Sequence, residues 1–195
     1  TIVELGIFGG GTTALLNEIA RPRKLVAIEL NDERVEALDA YREAHGATDT
    51  VKPYYGVDQA ARARLVEIID HEFEQRPLDL IIDDASHHVD LTRASFDLLF
   101  PRLRPGGAFI IEDWAWAHGP FSAYRPGDVP LTTLVFEMVM ACASHPGLVS
   151  TVTVDQHWAL VERGEDSADA DSFTISSCYS ERGRELVTTL LPSTP

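Results

Sequence analysis

The sequence has little cysteine, few cations and no long apolar run, and each shortage argues against a class of protein. Its two cysteines, Cys142 and Cys178, provide no disulfide framework and no Cys-x-x-Cys motif, which favours a reducing, cytoplasmic location. The chain carries 16 Lys and Arg against 31 Asp and Glu, a formal net charge of −15. This charge argues against nucleic acid or an anionic membrane surface as a partner. No apolar run approaches the roughly 20 residues of a membrane span.

What is present is enough apolar sequence for one domain with a core of its own. The chain has 195 residues, of which 45% are hydrophobic, so we expect a single domain over residues 1–195. No signal peptide is visible, and the chain opens with Thr1 inside the first predicted strand, which leaves open that a segment precedes it.

Apolar runs of strand length alternate with helical patterns along the chain. The predicted strands cover residues 1–6, 24–30, 51–56 and 78–84, and residues 104–113 indicate a turn followed by a fifth strand. The predicted helices cover residues 12–20, 31–44, 58–75, 91–103 and 130–145. In the last helix we expect one buried stripe, formed by Leu131, Leu134, Val135, Met138, Val139 and Cys142.

The C-terminal part of the sequence has a different pattern. Residues 147–164 indicate two strands joined by a tight turn at 155–157, an acidic loop follows over 164–172, and residues 180–191 could form a final helix. A connection this short requires an antiparallel pair. The whole pattern predicts an α/β, Rossmann-like doubly wound fold, whose sheet is mostly parallel with an antiparallel C-terminal pair of strands.

A glycine-rich bend follows the first predicted strand, in the segment VELGIFGGGTTALL at residues 3–16. In an open parallel sheet, ligands bind beyond the carboxyl ends of the strands, where this bend lies. The spacing does not fit Gly-x-Gly-x-x-Gly, the nicotinamide fingerprint. Glu4 would add negative charge beside a pyrophosphate and suits a cationic ligand better. Glu29 ends the second strand, where an acid can accept hydrogen bonds from ribose hydroxyls, although it could also cap the next helix.

At these residues the chain resembles the class I S-adenosylmethionine-dependent methyltransferases. Glu4, Gly6 and Gly10 match their acid-x-Gly-x-x-x-Gly motif, and Glu29 matches the acid that ends their second strand. The resemblance implies that the bend binds the methionine part of the cofactor and that Glu29 binds its ribose. It further implies a set of cofactor contacts from the helix start, the loop after the third strand and the end of the fourth strand: Thr12, Asp58, Gln59 and Asp83.

Carboxylates also follow the fourth and fifth predicted strands. Asp83 and Asp84 end one strand, and Glu112 and Asp113 end the next. Neighbouring strands lie about 4.8 Å apart, so these acids would crowd and raise each other's pKa unless a cation bound between them. Oxygen ligands favour a hard ion, Mg²⁺ first, with Ca²⁺ or Mn²⁺ as alternatives. Each acid taken alone could instead cap a helix or face solvent.

His87 lies three residues after Asp84, beside this expected metal site. An imidazole there could take a proton from a substrate hydroxyl near neutral pH. The neighbouring His88 is expected to be structural.

Residues 78–114 extend the resemblance to the metal-dependent sugar O-methyltransferases of macrolide biosynthesis, mycinamicin type, and to the cephalosporin hydroxylase and rhamnosyl O-methyltransferase group. By that resemblance Asp84, Glu112 and Asp113 would hold Mg²⁺, and His87 would be the general base. Two departures are Ala85, where the family has glycine, and the absence of the region that precedes the first strand in such proteins.

An aromatic loop, residues 113–128, follows the acid pair directly. It contains Trp114, Trp116, Phe121 and Tyr124 among glycines and prolines. The loop could form a lid or a wall for a sugar or an aromatic acceptor, or its aromatic side chains could simply cover the sheet edge.

The sequence therefore predicts a Mg²⁺-dependent O-methyltransferase for a small-molecule hydroxyl acceptor, by resemblance a sugar of a natural product or a glycolipid. A homo-oligomer is possible. The alternatives are a metal-independent methyltransferase, an NAD-dependent oxidoreductase and a non-catalytic module with the same fold.

Overall fold

The computed structural model describes residues 1–119, 128–180 and 183–185, and its elements follow the predicted alternation. The strands are β1 (Ile2–Leu5), β2 (Leu25–Ile28), β3 (Val51–Tyr54), β4 (Leu78–Asp83), β5 (Leu103–Glu112), β6 (Val149–Val154) and β7 (Trp158–Arg163). The α-helices are α1 (Gly11–Ala20), α2 (Glu36–Ala44), α3 (Arg62–Phe73), α4 (Val89–Leu99) and α5 (Thr132–Ser144). Short 3-10 helices lie at Phe100–Arg102, Trp116–His118 and Ile175–Ser177.

The strands form one seven-stranded sheet in the order β3-β2-β1-β4-β5-β7-β6. The pairs among β1 to β5 are parallel, while β7 pairs antiparallel with both β5 and β6. This confirms the predicted doubly wound, mostly parallel sheet with its antiparallel C-terminal pair. The chain order reverses between β1 and β4, so the switch point lies where the glycine bend and the Asp83–Asp84 pair meet.

Strands β1 and β2 are buried on both faces, which explains their continuous apolar sequences. Because side chains alternate along a strand, Val3 belongs to the larger core with Phe96 of α4. Ile2 belongs to a smaller core on the other face, closed by Leu16 of α1 and Leu38 of α2. The sheet therefore separates two apolar layers, and its carboxyl edge remains for polar side chains.

Helices α2 and α3 begin at Glu36 and Arg62, well after the predicted starts at residues 31 and 58, and each does so for the same physical reason. The predicted start at residue 31 lies before α2 because Asn31 Oδ1 accepts the Glu33 N–H at 3.0 Å and holds a turn there. In the same way Asp58 Oδ1 accepts the Ala60 N–H at 2.8 Å before α3 begins. Asn and Asp side chains compete with helical hydrogen bonding in this manner. Both turns keep chain at the carboxyl edge of the sheet.

The stripe predicted for α5 is wrong at its later positions. Leu131, Leu134 and Met138 are buried as expected, but Val139 is 46% exposed. Ala141 is buried in the core, while Cys142 is only partly buried and packs against it.

Part of the predicted organisation lies outside the described residues, including Phe121, Tyr124 and most of the expected final helix. Within the described part of the chain, no helix is long and apolar enough to cross a membrane.

Candidate functional site at the carboxyl edge of the sheet

A cavity of about 610 Å³ opens at the carboxyl ends of β1, β2 and β4. The structure brings six of the predicted site residues into its lining: Gly6, Glu29, Asp58, Gln59, Asp84 and His87. The other predicted residues are not part of its wall: Glu4, Gly10, Thr12, Asp83, Glu112 and Asp113. The wall also contains residues that sequence reasoning missed, among them Phe8, Leu30 and Leu91.

Gly6 joins the glycine bend to the end of β4. Its φ is +94°, and a Cβ built on it would lie 2.2 Å from the carbonyl oxygen of Asp84. Glycine is therefore required here both for its backbone angle and for a close approach of two chain segments. The contact places the backbone of Asp84 and Ala85 directly against the bend.

Glu29 fixes the other side of the bend. Its Oε2 accepts the N–H groups of Ile7 and Phe8, each at 3.0 Å, and its Oε1 accepts the Asn31 N–H at 2.9 Å. Burial alone would raise the pKa of Glu29, but these backbone hydrogen bonds outweigh it and lower the pKa. The cavity therefore contains an ionised carboxylate at neutral pH.

Glu4 is not part of the cavity wall, and its side chain contacts α1. It is 1% exposed, and its Oε2 accepts a hydrogen bond from Thr13 Oγ1 at 2.6 Å. Burial raises the pKa of Glu4 to about 7, and the charges of Asp84 and Glu112 add to that rise while the Thr13 hydrogen bond opposes it. In the structure Glu4 thus ties β1 to α1 and sits behind the acid cluster.

Gly10 and Thr12 begin α1. Gly10 has a φ of +77°, and a Cβ there would lie 2.9 Å from the Leu38 side chain, so the glycine lets α1 pack against α2. Thr12 is exposed in the first turn of α1.

Gln59 and Asp83 form a buried network that holds the loop after β4. Gln59 Nε2 donates to both Asp83 oxygens, at 3.1 and 3.0 Å, and Ser95 Oγ donates to Asp83 Oδ2 at 2.6 Å. Gln59 Oε1 accepts the Ser86 N–H at 3.0 Å. Burial raises the pKa of Asp83 to about 6, although these donors lower it. Both side chains therefore position the segment that carries His87.

Asp84, His87 and Asp113 form a group of potential metal ligands, with one donor atom of each lying within 4.8 Å of the others. His87 Nε2 lies 3.9 Å from Asp84 Oδ1. Burial raises the pKa of Asp84; the His87 charge opposes this rise and the Asp113 charge adds to it. Both His87 and Asp113 have left-handed backbone angles, with φ of 54° and 52°, which non-glycine residues adopt at a cost.

Glu112 lies near this group but is not a member of it. Burial raises its pKa, and the charges of Asp84 and Asp113 raise it further, so its carboxylate is close to both. Alternation along β5 directs Glu112 to the same face of the sheet as Glu4. Several carboxylates gathered at one edge of the sheet make this edge a favourable place for a cation.

Two tryptophans follow Asp113 and make different contacts. Trp114 Nε1 donates to the carbonyl oxygen of Asp155 at 2.9 Å, which ties the segment to the turn between β6 and β7. The Trp116 ring lies 4.5 Å from the His87 ring, centroid to centroid, with the planes tilted by 50°. Trp116 remains 48% exposed.

The sheet order, the glycine bend and the acids after β2, β4 and β5 define the class I methyltransferase fold. A family model described as a methyltransferase domain matches residues 3–114, and the chain belongs to this family. The match runs from β1 to the residue after Asp113 and so includes every strand end that forms the site. The family resemblance predicted from the sequence is confirmed.

Individual relatives match shorter parts of the chain. Demethylmacrocin O-methyltransferase of Streptomyces fradiae is 47% identical over 60 residues, which is 30% of this chain and 15% of the relative. L-olivosyl-oleandolide 3-O-methyltransferase of Streptomyces antibioticus is 37% identical over 103 residues, which is 50% of this chain and 22% of the relative. The chain thus matches less than a quarter of the length of either curated relative.

A solved structure shows the same fold over most of the chain. The structure is that of MycE, a methyltransferase from the mycinamycin biosynthetic pathway in complex with Mg, SAH and mycinamycin VI. It is similar at a TM-score of 0.66 and 22% sequence identity, over 86% of this chain and 46% of that one. At this identity the likeness establishes the fold and no more.

The missed lining residues carry little sequence signal. Phe8 is 97% exposed and Leu30 is 70% exposed, yet in the sequence they continue the apolar runs of β1 and β2. A large apolar side chain directly after a strand end at the switch point would have been the sequence signal for a residue that lines the cavity.

Proposed function

We propose that this domain transfers a methyl group from S-adenosylmethionine to a hydroxyl of a small-molecule acceptor, with a sugar of a natural product as the favoured class. The observation that carries the proposal is that the glycine bend, Glu29 and the group of Asp84, His87 and Asp113 meet at one edge of the sheet. In support, the two curated relatives are named as O-methyltransferases.

The cavity offers polar and apolar contacts that suit the cofactor. A carboxylate has about four lone-pair sites, and three of those on Glu29 accept backbone N–H groups. The remaining capacity would serve a ribose hydroxyl. Leu30 and Phe8 provide exposed apolar surface on the same wall, and Asp58 provides a carboxylate on the loop after β3.

A hard divalent ion fits the donor set beside the cavity. Asp84 and Asp113 belong both to the set predicted from the sequence and to the group in the structure. We propose that these two carboxylates and Glu112 hold Mg²⁺, which leaves His87 as the base. Bound there, the ion would position the acceptor hydroxyl and lower its pKa.

In this reaction the hydroxyl oxygen forms a bond to the methyl carbon while the carbon–sulfur bond breaks. The positively charged sulfonium becomes a neutral thioether, S-adenosylhomocysteine, and the hydroxyl proton passes to His87 Nε2. Trp116 restricts the imidazole on one side, and the Gln59 network fixes the loop that carries it. These residues contribute by holding the base in one orientation relative to the acceptor.

Calorimetric titration tests the cofactor assignment first. We expect S-adenosylhomocysteine to bind the chain and NAD not to bind. Binding of NAD alone would establish the oxidoreductase alternative, and binding of neither would favour the non-catalytic module.

A second experiment separates the metal ligands from the base. We expect chelation to abolish methyl transfer and added Mg²⁺ to restore it; activity that survives chelation would establish the metal-independent alternative. His87→Ala should retain Mg²⁺ and S-adenosylhomocysteine binding and lose turnover by roughly 10²-fold or more, whereas Glu112→Gln should weaken Mg²⁺ binding. If His87→Ala lost Mg²⁺ binding and Glu112→Gln kept it, His87 would be the metal ligand and Glu112 would be left as the candidate base.

Two further expectations remain predictions: a cytoplasmic location, inferred from the two cysteines, and assembly into a homo-oligomer. Size-exclusion chromatography with light scattering measures the oligomeric state directly.

A further inference from the structure

Trp116 restricts the imidazole of the proposed base with one part of its ring, and the rest of the indole is available for another contact. The backbone N–H of Trp116 donates to the carbonyl oxygen of Asp113 at 3.0 Å, at the start of a short 3-10 helix. The indole is therefore attached to the same turn that carries one of the proposed metal ligands. One part of the ring contacts His87, and 48% of the side chain remains exposed.

Two hydrogen bonds directly before Trp116 hold the turn that carries its indole. Asp113 N–H donates to the carbonyl oxygen of His157 at 2.7 Å, and Trp114 Nε1 donates to the carbonyl oxygen of Asp155. These bonds fix the turn against the hairpin of β6 and β7. A partly exposed tryptophan beside carboxylates and an imidazole is typical of a binding surface, because a ligand can contact its apolar face and the neighbouring polar groups at the same time.

We propose that Trp116 binds the acceptor, with its open face packed against the C–H face of a pyranose ring whose hydroxyls reach His87 and Asp84. The inference rests on the proposed methyl-transfer function and names the acceptor contact of that same site. A pyranose fits better than a catechol because it offers several hydroxyl donors around an apolar face, and the carboxylates beside the indole accept such donors.

Calorimetry on Trp116→Ala and Trp116→Phe tests this contact, with Phe136→Ala as the matched control. Phe136 is also a half-exposed aromatic residue, at 55%, but it lies on α5 rather than on the turn that carries Asp113 and Trp116. The probe is mycinamicin VI, titrated into protein saturated with Mg²⁺ and S-adenosylhomocysteine. We expect Trp116→Ala to weaken its binding on the order of tenfold, Trp116→Phe to weaken it less, and Phe136→Ala to leave it unchanged.

Affinity for S-adenosylhomocysteine, measured on the same samples, separates the two proposals. It should be the same in all four proteins. The Trp116 proposal would be overturned if Trp116→Ala bound mycinamicin VI as the wild type does. It would also be overturned if the wild type bound S-adenosylhomocysteine but not mycinamicin VI. Either result would leave the cofactor assignment intact. Trp116-dependent binding of catechol in place of mycinamicin VI would overturn the pyranose class. Failure of the wild type to bind S-adenosylhomocysteine would overturn the proposed function itself.

Discussion

At the scale of single residues, the site depends on close approaches that a side chain would prevent. Gly6 is the clearest case, because the bend and the end of β4 touch at its Cα. Gly9, three residues further along the same bend, has open space where a Cβ would point. The two glycines therefore offer a matched pair of substitutions within one loop.

We expect Gly6→Ala to destabilise the fold on the order of 3 kcal/mol, because the new methyl group meets the Asp84 carbonyl and alanine is strained at positive φ. Gly9→Ala should change stability by less than about 0.5 kcal/mol. Urea unfolding of both variants measures the difference. Equal stability of the two variants would contradict the contact between the bend and β4.

Single residues also show how far the sequence could predict this site. Glu29 and Asp84 reach the cavity because their position at a strand end fixes which edge they occupy, and that position follows from the apolar pattern. The partners of Gln59 could not be predicted in this way. Its side chain reaches Asp83 and Ser86, residues 24 and 27 positions away in the sequence, and such pairings depend on the packed loops.

The same limit applies to the predicted metal ligands. Alternation along β5 places Glu112, but Asp113 lies beyond the strand with a left-handed φ of 52°. Neither this angle nor the φ of 54° at His87 is encoded by a glycine or a turn motif. The grouping of Asp113 with His87 therefore became visible only in three dimensions.

At the scale of elements, α4 connects the site to the C-terminal part of the chain. Its N-terminal end follows the loop that carries His87, and Ser95 contacts Asp83. On another turn Asp97 Oδ1 accepts the Ile175 N–H at 2.8 Å. Arg93 of the same helix forms a paired hydrogen bond with the buried Glu137 of α5. Helix α4 thus ties the site loop, α5 and the 3-10 helix at Ile175–Ser177 together.

Asp97 gives this element a pH dependence that can be measured. Burial raises its pKa to about 6, although the Ile175 hydrogen bond and the charge of Arg93 lower it. A raised carboxyl pKa means that the folded protein binds a proton more tightly than the unfolded chain does. In the unfolded chain an Asp side chain has a pKa of about 3.9. The contribution of the protonated Asp97 to stability is therefore fully present below about pH 3.9, and it is lost as the pH rises through about 6.

We expect Asp97→Asn to be at least as stable as the wild type at pH 7.5, because the amide oxygen still accepts the Ile175 N–H and no buried charge remains. At pH 4.5 the wild type should gain stability relative to this variant. Asp97→Ala removes the acceptor and should lose about 1 kcal/mol at the higher pH. Urea unfolding midpoints at the two pH values measure the difference in stability between the wild type and Asp97→Asn. A difference that is the same at both pH values would contradict the raised pKa of Asp97.

At the scale of the whole molecule, charge and cores are arranged around one sheet. The formal net charge of −15 disfavours further anions, yet the carboxyl edge concentrates four carboxylates, Glu4, Asp84, Glu112 and Asp113. Binding of a divalent cation and of a positively charged sulfonium compound at this edge would relieve repulsion within it. The charge pattern thus agrees with the ligands proposed above.

The two apolar layers share the same strands, and this makes a prediction about unfolding. The larger core includes Val3 and the smaller core includes Ile2, so neither layer can open without exposing β1. We therefore expect the chain to unfold in urea as one cooperative unit, in agreement with the single domain predicted for residues 1–195. Tryptophan fluorescence reports Trp114, Trp116 and Trp158 at the β5 and β7 side of the sheet, whereas circular dichroism reports helices on both faces. Coincident midpoints from the two signals are the expected result; a fluorescence transition separate from the loss of helix would mean that the β5–β7 side unfolds independently of the β1–β3 side.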